Sequence, residues 1–198
     1  CQNFCAYCLI PYARGLSRSM PMEQVESEAA RLNAEGYREI VVTGIEISSY
    51  GFDLPGKPSP TAMISAVCAA APNARIRLGS LEPRTVTDDF CRELSQHKNL
   101  CPHFHLSLQS GCDKTLKAMN RKYLTERYAE SCRLLREYCP GCAITPELIV
   151  GFPGETEEDF AESLDFVKKC AFAQVHIFPY SSRPGTRAAS MPGQLTRA

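Results

Sequence analysis

Three cysteines open the chain and carry the strongest chemical signal in the sequence. Cys1, Cys5 and Cys8 follow a C-x3-C-x2-C spacing, which places three thiols on one short loop. Thiolates are the ligands that hold iron–sulfur clusters. Because a [4Fe–4S] cluster has four irons, three cysteines leave one iron open to bind a substrate or cofactor. Tyr7, just before the third cysteine, is suited to form an aromatic wall beside such a cluster.

Other interpretations of these cysteines remain open at this point. Zinc sites usually combine two close pairs of ligands, but the Cys139–Cys142 spacing encloses Pro140 and Gly141, which predict a helix end and a turn. Ferredoxin loops have a different order and a fourth cysteine. A disulfide framework is disfavoured by the odd count of 11 cysteines and by the chain length of 198 residues. A zinc site or a chance spacing is the alternative.

The composition of the chain limits the number of domains, the surface charge and the cellular compartment that can be expected. A 198-residue chain that is 44% hydrophobic predicts one domain with a substantial core. The 22 basic and 22 acidic residues cancel, so any contact with nucleic acid must use local patches. No stretch approaches the roughly 20 apolar residues of a membrane span, and free thiols without a targeting segment predict a cytoplasmic protein. Since residue 1 is itself a candidate ligand, we expect a fragment of a longer protein.

Strand and helix patterns alternate along the chain. Strands are predicted at 39–43, 75–80, 103–109, 144–150 and 174–180. Helices are predicted at 21–35 and 61–70, and after caps at Thr87, Thr125 and Thr156. This order predicts βα units around a parallel sheet.

The strands carry polar residues on one face, as in the alternation at 103–109. A doubly wound sheet has nearly continuous apolar strands instead. The predicted fold is therefore α/β, a partial (βα) TIM-like barrel with a polar lumen, five parallel strands and about five helices. A first strand is expected before Cys1. Chemistry in such barrels lies at the carboxyl ends of the strands. The candidate residues there are Gly44, Ser80, Glu82, Gln109 and Gly151.

The cysteine loop at the head of such a barrel resembles the radical S-adenosylmethionine (SAM) superfamily. Within it, several segments are similar to the methylthiotransferases: 10–15 (IPYARG), 42–45 (VTGI), 108–111 (LQSG), 119–123 (MNRKY), 149–156 (IVGFPGET) and 178–181 (FPYS). Segments 48–51 (SSYG), 78–83 (LGSLEP) and 102–113 are closest to the MtaB type.

The resemblance implies an enzyme. It implies a [4Fe–4S] cluster and SAM, which together generate a 5′-deoxyadenosyl radical, and the conversion of N6-threonylcarbamoyladenosine beside the tRNA anticodon to its 2-methylthio derivative. An alternative within this chemistry is a relative acting on isopentenyladenosine in tRNA or on a ribosomal protein aspartate. An alternative of another class is a non-catalytic iron–sulfur or zinc-binding module.

The resemblance also implies roles for residues. Cys1, Cys5 and Cys8 are the expected cluster ligands and catalytic residues. The expected cofactor-binding residues are Tyr7, Gly44, Glu46, Ser80, Glu82, Gln109 and Gly151. Arg77 is expected in the lumen, facing a carboxylate or paired with Glu147. His103 and His105 are expected to have a strand role rather than a metal role. The candidates for RNA phosphate contacts are Arg14, Arg18, Arg121, Lys122, Arg183 and Arg187.

Domains and partners follow from the same resemblance. Residues 1–185 are the expected radical SAM domain, and 186–198 the start of a linker towards a C-terminal RNA-binding (TRAM) domain. An N-terminal domain with a second cluster is expected in the longer protein, so the chain alone is expected to be catalytically incomplete. The expected partners are the tRNA anticodon stem-loop, an electron donor such as flavodoxin or ferredoxin, and a sulfur donor, with no membrane.

Overall fold

Parallel strands that alternate with helices build the molecule. The computed structural model describes residues 1–195. The strands are β1 (Glu39–Val42), β2 (Arg75–Leu78), β3 (Ser80–Leu81), β4 (His103–Leu106), β5 (Ala143–Thr145), β6 (Glu147–Val150) and β7 (His176–Pro179). The α-helices are α1 (Ile10–Arg14), α2 (Met22–Ala34), α3 (Pro60–Ala70), α4 (Asp88–Leu94), α5 (Asp113–Ala118), α6 (Thr125–Tyr138) and α7 (Glu157–Cys170).

All strand pairs are parallel and neighbours in the chain are neighbours in the sheet. β1 pairs with β2, β3 with β4, β4 with β5, and β6 with β7. Two predicted strands are each split in the middle, at Gly79 and at Pro146, which lacks the N–H that a ladder needs. These ladders form three groups, β1–β2, β3–β4–β5 and β6–β7, and the isolated bridges Ile76–Leu100 and Gln109–Leu148 connect them. Among residues 1–195, no ladder pairs β1 with β7, so the sheet is open.

The predicted α/β class with five consecutive parallel strands is confirmed. The predicted number of about five helices is too small, since the structure has seven α-helices. The two additional helices are α1 with five residues and α5 with six. Helices this short do not repeat the 3.6-residue period often enough to be recognised in a sequence.

The core lies between the sheet and the helices. Ile76, Leu78, Phe104 and Leu106 are buried on the outer strand face, towards α3, α4 and α6. The polar residues of the same strands lie on the opposite, inner face. The alternation in the sequence thus separates an apolar face under the helices from a polar lumen.

Helix α7 is the best-capped helix and shows how the sequence sets an element. Thr156 Oγ1 accepts from the Asp159 N–H at 3.2 Å, and the Asp159 carboxylate accepts from the Thr156 N–H at 2.9 Å. This reciprocal pair is the capping box expected from the spacing. Lys114 Nζ also donates to Asp159, at 2.6 Å, which joins α7 to α5.

The last described residues return to the start of the chain. Ala188 is fully buried and its N–H donates to the Ala6 carbonyl at 2.8 Å. Arg187 Nη2 donates to the Ala118 carbonyl at 3.0 Å. Residues 186–195 therefore pack over the cysteine loop, while residues 196–198 of the expected linker lie outside the described residues. Within the described chain, no helix is long and apolar enough to cross a membrane.

Candidate functional site

The cysteine loop is a tight turn fixed from two sides. The Cys8 N–H donates to the Cys5 carbonyl at 3.0 Å, and the Ala6 N–H donates to the Met119 carbonyl at 2.9 Å. The three cysteine side chains are half-buried and reduced. The N–H of Ile10 points at Cys8 Sγ, 3.4 Å away. The loop thus presents three thiols from a backbone that the segment after α5 holds in place.

Arg121 provides a half-buried positive charge beside this loop. Its Nη1 lies 3.1 Å from Cys5 Sγ, and its Nε donates to the Tyr123 hydroxyl at 3.0 Å. The guanidinium stacks over the Tyr123 ring at 4.8 Å from the centroid. The Arg121 guanidinium therefore lies within hydrogen-bond distance of one of the three loop thiols. The expectation that Arg121 contacts RNA phosphate is therefore wrong, because its side chain is turned inward and engaged with Cys5.

The donor set fits an iron–sulfur cluster. Within residues 1–195, no three His, Cys, Asp or Glu side chains converge as ligands of one metal ion. A [4Fe–4S] cluster does not require such convergence, since each cysteine binds a different iron. Three thiols on one fixed loop with an adjacent guanidinium are the chemistry that such a cluster takes. A zinc site, which needs four ligands around one ion, fits this arrangement poorly.

A pair of hydrogen-bonded carboxyl groups lies just beyond the ends of strands β1 and β3. Glu46 follows β1 and Glu82 follows β3, and their side chains share a hydrogen bond. Burial, the bond to Glu82 and its negative charge raise the pKa of Glu46 to about 7. Burial opposes ionisation of Glu82 as well, but Arg84 and the proton shared with Glu46 outweigh it and lower the pKa of Glu82.

The structure brings these carboxyl groups close to the cysteine loop. Arg84 donates to both oxygens of Glu82, at 3.1 and 3.0 Å. Asn3, in the loop itself, acts to lower the pKa of Glu46, and the charge of Arg121 acts on both carboxyls. A carboxyl pair that holds one proton near neutral pH suits a ligand with an ammonium group. The two glutamates predicted as cofactor-binding residues are therefore neighbours.

Tyr7 belongs to an aromatic group under the loop. Its ring meets Phe152 edge-to-face at 6.3 Å, and Phe152 meets Tyr180 at 5.4 Å. Burial raises the pKa of Tyr7 well above its usual value. Tyr7 therefore belongs to an aromatic cluster with Phe152 and Tyr180, and its role as a wall beside a cluster stays a prediction.

The remaining predicted residues occupy strand ends. Ser80 lies in β3, opposite His105 of β4. Gln109 has a positive φ of 72° and exchanges backbone hydrogen bonds with Glu147 and Ile149, at 2.8 and 2.9 Å. Gly151 ends β6 with φ of 72°, and its N–H donates to Glu155 at 2.5 Å.

Gly44 and Glu46 line a cavity with a volume of about 500 Å³ that also reaches Cys1. The floor of this cavity is formed by apolar residues of α2, β1 and α3, and its outer edge is formed by the segment 14–20. Ser19 fixes this edge of the cavity in position, because its hydroxyl donates to Asp53 at 2.7 Å.

The lumen holds a second polar network, distinct from the strand-end residues. His103 and His105 both contact Thr145 Oγ1, at 3.0 and 3.2 Å, and His105 Nε2 lies 2.5 Å from Glu147 Oε1. This bond and the charge of Glu147 raise the pKa of His105. The strand role expected for both histidines agrees with this geometry.

Arg77 has a different partner from the one expected. It forms an ion pair with Glu39 of β1, with an N–O distance of 2.7 Å, and Glu147 pairs with His105 instead. Arg77 and Glu39 lie on the adjacent strands β1 and β2, so their side chains reach each other directly. Glu147 lies on β6, on the other side of the sheet. The predicted Arg77–Glu147 alternative is therefore wrong.

Sequence reasoning missed the residues that hold the loop. Asn120 Nδ2 donates to the Phe4 carbonyl at 2.7 Å, and Tyr123 OH lies 2.6 Å from the Ser107 carbonyl. Both belong to the segment 119–123 that carried the resemblance, together with Arg121. The resemblance therefore contained the signal, but nothing local in the sequence indicates that Asn120 contacts Phe4, 116 positions away.

Comparisons with known proteins agree with this geometry. Residues 1–167 match the family model described as "Radical SAM superfamily". The chain is 42% identical over 195 residues to "Threonylcarbamoyladenosine tRNA methylthiotransferase MtaB" of Bacillus subtilis, covering 98% of this chain and 43% of that protein. It is 41% identical over 195 residues to "tRNA-2-methylthio-N(6)-dimethylallyladenosine synthase" of Carboxydothermus hydrogenoformans, covering 98% and 44%. The chain thus spans less than half the length of these relatives.

Solved structures show the same fold. The radical SAM methyltransferase TsrM from Kitasatospora setae superposes with a TM-score of 0.76 at 20% identity, covering 96% of this chain and 37% of that one. Coproporphyrinogen III oxidase (HemN) from Escherichia coli superposes with a TM-score of 0.63 at 19% identity, covering 96% and 44%. With the cysteine loop at the ends of parallel strands and a family match over 167 residues, the chain belongs to the radical SAM superfamily.

Proposed function

We propose that the chain is the radical SAM domain of a tRNA methylthiotransferase. The observation that carries this proposal is the cysteine loop, with the Arg121 guanidinium at 3.1 Å from Cys5 Sγ, beside the Glu46–Glu82 pair at the strand ends. The two curated relatives described above are named as tRNA-modifying enzymes, which supports tRNA as the substrate.

In this proposal Cys1, Cys5 and Cys8 hold a [4Fe–4S] cluster with one open iron. The cluster and SAM, when bound, supply a radical able to take hydrogen from an unactivated carbon. The SAM-binding residues are Tyr7, Gly44, Glu46, Ser80, Glu82, Gln109 and Gly151, which stand at or beside the strand ends.

The chain's own residues bind, orient and exclude water. Glu46 and Glu82 offer carboxylate oxygens to an ammonium group, and Arg84 holds Glu82 in place through two hydrogen bonds. Gly44 leaves room beside them, since a Cβ there would meet nothing closer than 3.9 Å. Tyr7 and Phe152 keep the floor dry, which strengthens electrostatic contacts.

For the base that is modified we propose N6-threonylcarbamoyladenosine, converted to its 2-methylthio derivative. The polar lumen favours this substrate, because His103 Nδ1 is buried without a hydrogen-bond partner among the described residues and is available to a substituent with a carboxylate and a hydroxyl. An isopentenyl (dimethylallyl) substituent is apolar and would offer that nitrogen no partner. Dimethylallyladenosine remains the second candidate, supported by the relative from Carboxydothermus hydrogenoformans.

The proposal includes the surrounding machinery. Residues 1–185 form the catalytic domain, and residues 186–198, of which 186–195 pack over the cysteine loop, lead towards an RNA-binding domain. The partners are the anticodon stem-loop of tRNA, an electron donor of the flavodoxin or ferredoxin kind, and a sulfur donor, in the cytoplasm. A second cluster belongs to an N-terminal domain outside this chain.

Anaerobic reconstitution tests the chemistry. We expect about four irons per chain, and 5′-deoxyadenosine on reduction in the presence of SAM. Replacement of Cys5 by Ala should abolish both, while Cys139→Ala is the matched control at a cysteine outside the loop. Zinc in place of iron and no cleavage of SAM would overturn the enzyme in favour of a metal-binding module.

Mass spectrometry of tRNA separates the two substrates. In a strain that lacks the gene, we expect loss of the 2-methylthio group from threonylcarbamoyladenosine with the isopentenyl derivative intact. The reverse pattern would transfer the assignment to isopentenyladenosine. Intact modification of both would favour a protein substrate such as a ribosomal aspartate.

A further inference from the structure

Two exposed aromatic rings stand on the outer surface of the cysteine loop. Phe4 is 48% exposed and Tyr12, on α1, is 71% exposed. Their rings meet edge-to-face, with centroids 5.9 Å apart and an interplanar angle of 74°. Large aromatic side chains are usually buried, so a pair of them in water beside a candidate active site requires a reason.

The backbone holds Phe4 in a strained conformation. Its φ is 49°, in the left-handed region that bulky residues rarely adopt. Asn120 Nδ2 donates to the Phe4 carbonyl at 2.7 Å, and the neighbouring Ala6 N–H is bonded to Met119. Such strain persists only where surrounding contacts fix it, and it clusters at functional positions.

The surface around this pair is positively charged although the whole chain is neutral. The segments 1–22, 114–125 and 171–195 contain no Asp or Glu, whereas the chain as a whole has 22 acidic residues. Hydrogen bonds from Ala6 to Met119 and from Ala188 to Ala6 bring the three segments together.

Among the exposed cations of these segments are five that we call the basic rim: Arg14, Lys117, Lys122, Arg183 and Arg187. None of the five forms an ion pair within residues 1–195. Lys122 lies near Phe4, because its Nζ donates to Asn120, the residue that holds the Phe4 carbonyl. The rim therefore has charge to offer to a polyanion.

We propose that the Phe4–Tyr12 pair stacks on an unpaired base of the RNA substrate while the basic rim holds the adjoining phosphates. Single-stranded RNA is recognised by aromatic rings on which bases stack, together with cations along the backbone. This inference rests on the proposed function, since it takes the substrate to be RNA. It adds a contact outside the pocket that receives the reacting base.

The test measures binding of a fluorescently labelled hairpin RNA with an unpaired loop, by anisotropy, to the anaerobically reconstituted protein. Tyr12→Leu is expected to weaken binding roughly tenfold, the usual loss for one stacked base. Tyr37→Leu removes an aromatic ring that is 54% exposed outside the rim, and should bind as the wild type does. A fully paired duplex of equal length should be bound equally by wild type and Tyr12→Leu.

Charge is tested separately. Lys122→Gln should weaken the hairpin and the duplex alike and reduce the slope of log K against log salt by about 1. Phe4→Leu should repeat the loss seen for Tyr12→Leu, with the iron content unchanged from the wild type.

The failures are distinguishable. If the wild type binds the hairpin and both leucine variants bind it equally well, the stacking contact is wrong and the proposed function stands. An equal loss for hairpin and duplex in Tyr12→Leu also overturns stacking. If the wild type binds neither the hairpin nor the duplex, the proposal that the substrate is RNA is wrong. An acidic protein surface then becomes the better partner for the basic rim.

Discussion

At the scale of single residues, the site depends on the partly or fully buried charged side chains of Arg121, Glu46 and Glu82. Arg121 is held by Tyr123 on one side and directs Nη1 at Cys5 on the other. Glu46 and Glu82 share a hydrogen bond nearby. Each group is compensated by a neighbour, as buried charges must be. The same charges make the site sensitive to substitution.

Replacement of Arg121 by Gln should disrupt the cysteine loop. The hydrogen bond to Cys5 and the stacking on Tyr123 are both lost, and hydrogen bonds that involve a charged group contribute about 1.5–3 kcal/mol. We expect the free energy of unfolding to fall by about that amount, and the iron content after reconstitution to fall with it. Lys122→Gln, at the next and exposed position, is the control. Equal iron contents in the two variants would contradict this role.

Stability should depend on pH through Glu46. Because the pKa of Glu46 is about 7 in the folded protein, above its ordinary value of 4.5, the folded state binds more protons than the unfolded state between these pH values. The contribution is therefore complete below pH 4.5 and is lost as pH rises through about 7.

Thermal unfolding between pH 5 and 8 measures this effect. The wild type should lose on the order of 1 kcal/mol across that range relative to Glu46→Gln, which stays neutral and keeps the hydrogen bond. His105, whose pKa is also raised, adds a slope of the same sign to both proteins. Parallel curves for wild type and variant would disprove the assignment.

At the scale of elements, local signals define where helices begin. Thr156 and Asp159 form a reciprocal box at α7, whereas Thr87 at α4 accepts only the Phe90 N–H, at 3.2 Å. The α7 helix has 14 residues and α4 has seven.

We expect Thr156→Ala to destabilise the protein by about 1–2 kcal/mol, at the upper end of the range for helix caps, because two hydrogen bonds depend on that side chain and its partner. Thr87→Ala should cost less, about 0.5–1 kcal/mol. Urea denaturation measures both variants. An equal or larger loss for Thr87→Ala would show that the box adds nothing to a single cap.

At the scale of the whole molecule, the strand-end loops pack against distant helices. Gly111, after the bridge at Gln109, lies against α7: a Cβ there would be 2.7 Å from the Ser163 carbonyl oxygen and 2.9 Å from Phe166 Cβ. The Gly111 N–H also donates to Ser163 Oγ at 2.5 Å. The sheet and α7 approach this closely only because position 111 has no side chain.

Gly111→Ala should therefore lower the free energy of unfolding by about 1–3 kcal/mol, the usual cost of overpacking. Gly44→Ala is the matched control for folding, since its nearest neighbour is 3.9 Å away and its φ is not in the left-handed region. Chemical denaturation of both variants decides the matter. A Gly111→Ala protein as stable as wild type would mean that α7 moves away without cost.

Much of the fold could be predicted because its signals are local. Strand alternation, the caps at Thr87 and Thr156 and the βα order depend on residues a few positions apart, and all were confirmed. The predicted cap at Thr125 is wrong, because Thr125 is the first residue of α6 and the preceding Leu124 makes no side-chain cap. The short helices α1 and α5 were missed because five or six residues carry too little periodicity. The strand breaks at Gly79 and Pro146 were missed because the predicted strands ran through them.

The sequence by itself determined the chemistry of the donors: three thiols on one loop, polar strand faces and carboxyls at strand ends, since residue type and spacing are local properties. Only the tertiary structure decided which groups meet. Arg121 contacts Cys5, which lies 116 positions away in the sequence. Arg77 forms its ion pair with Glu39 and not with Glu147. Asn120 hydrogen-bonds the Phe4 carbonyl and so holds Phe4 in its exposed turn. Contacts of that range follow from how the sheet brings its strand ends together, which no local pattern encodes.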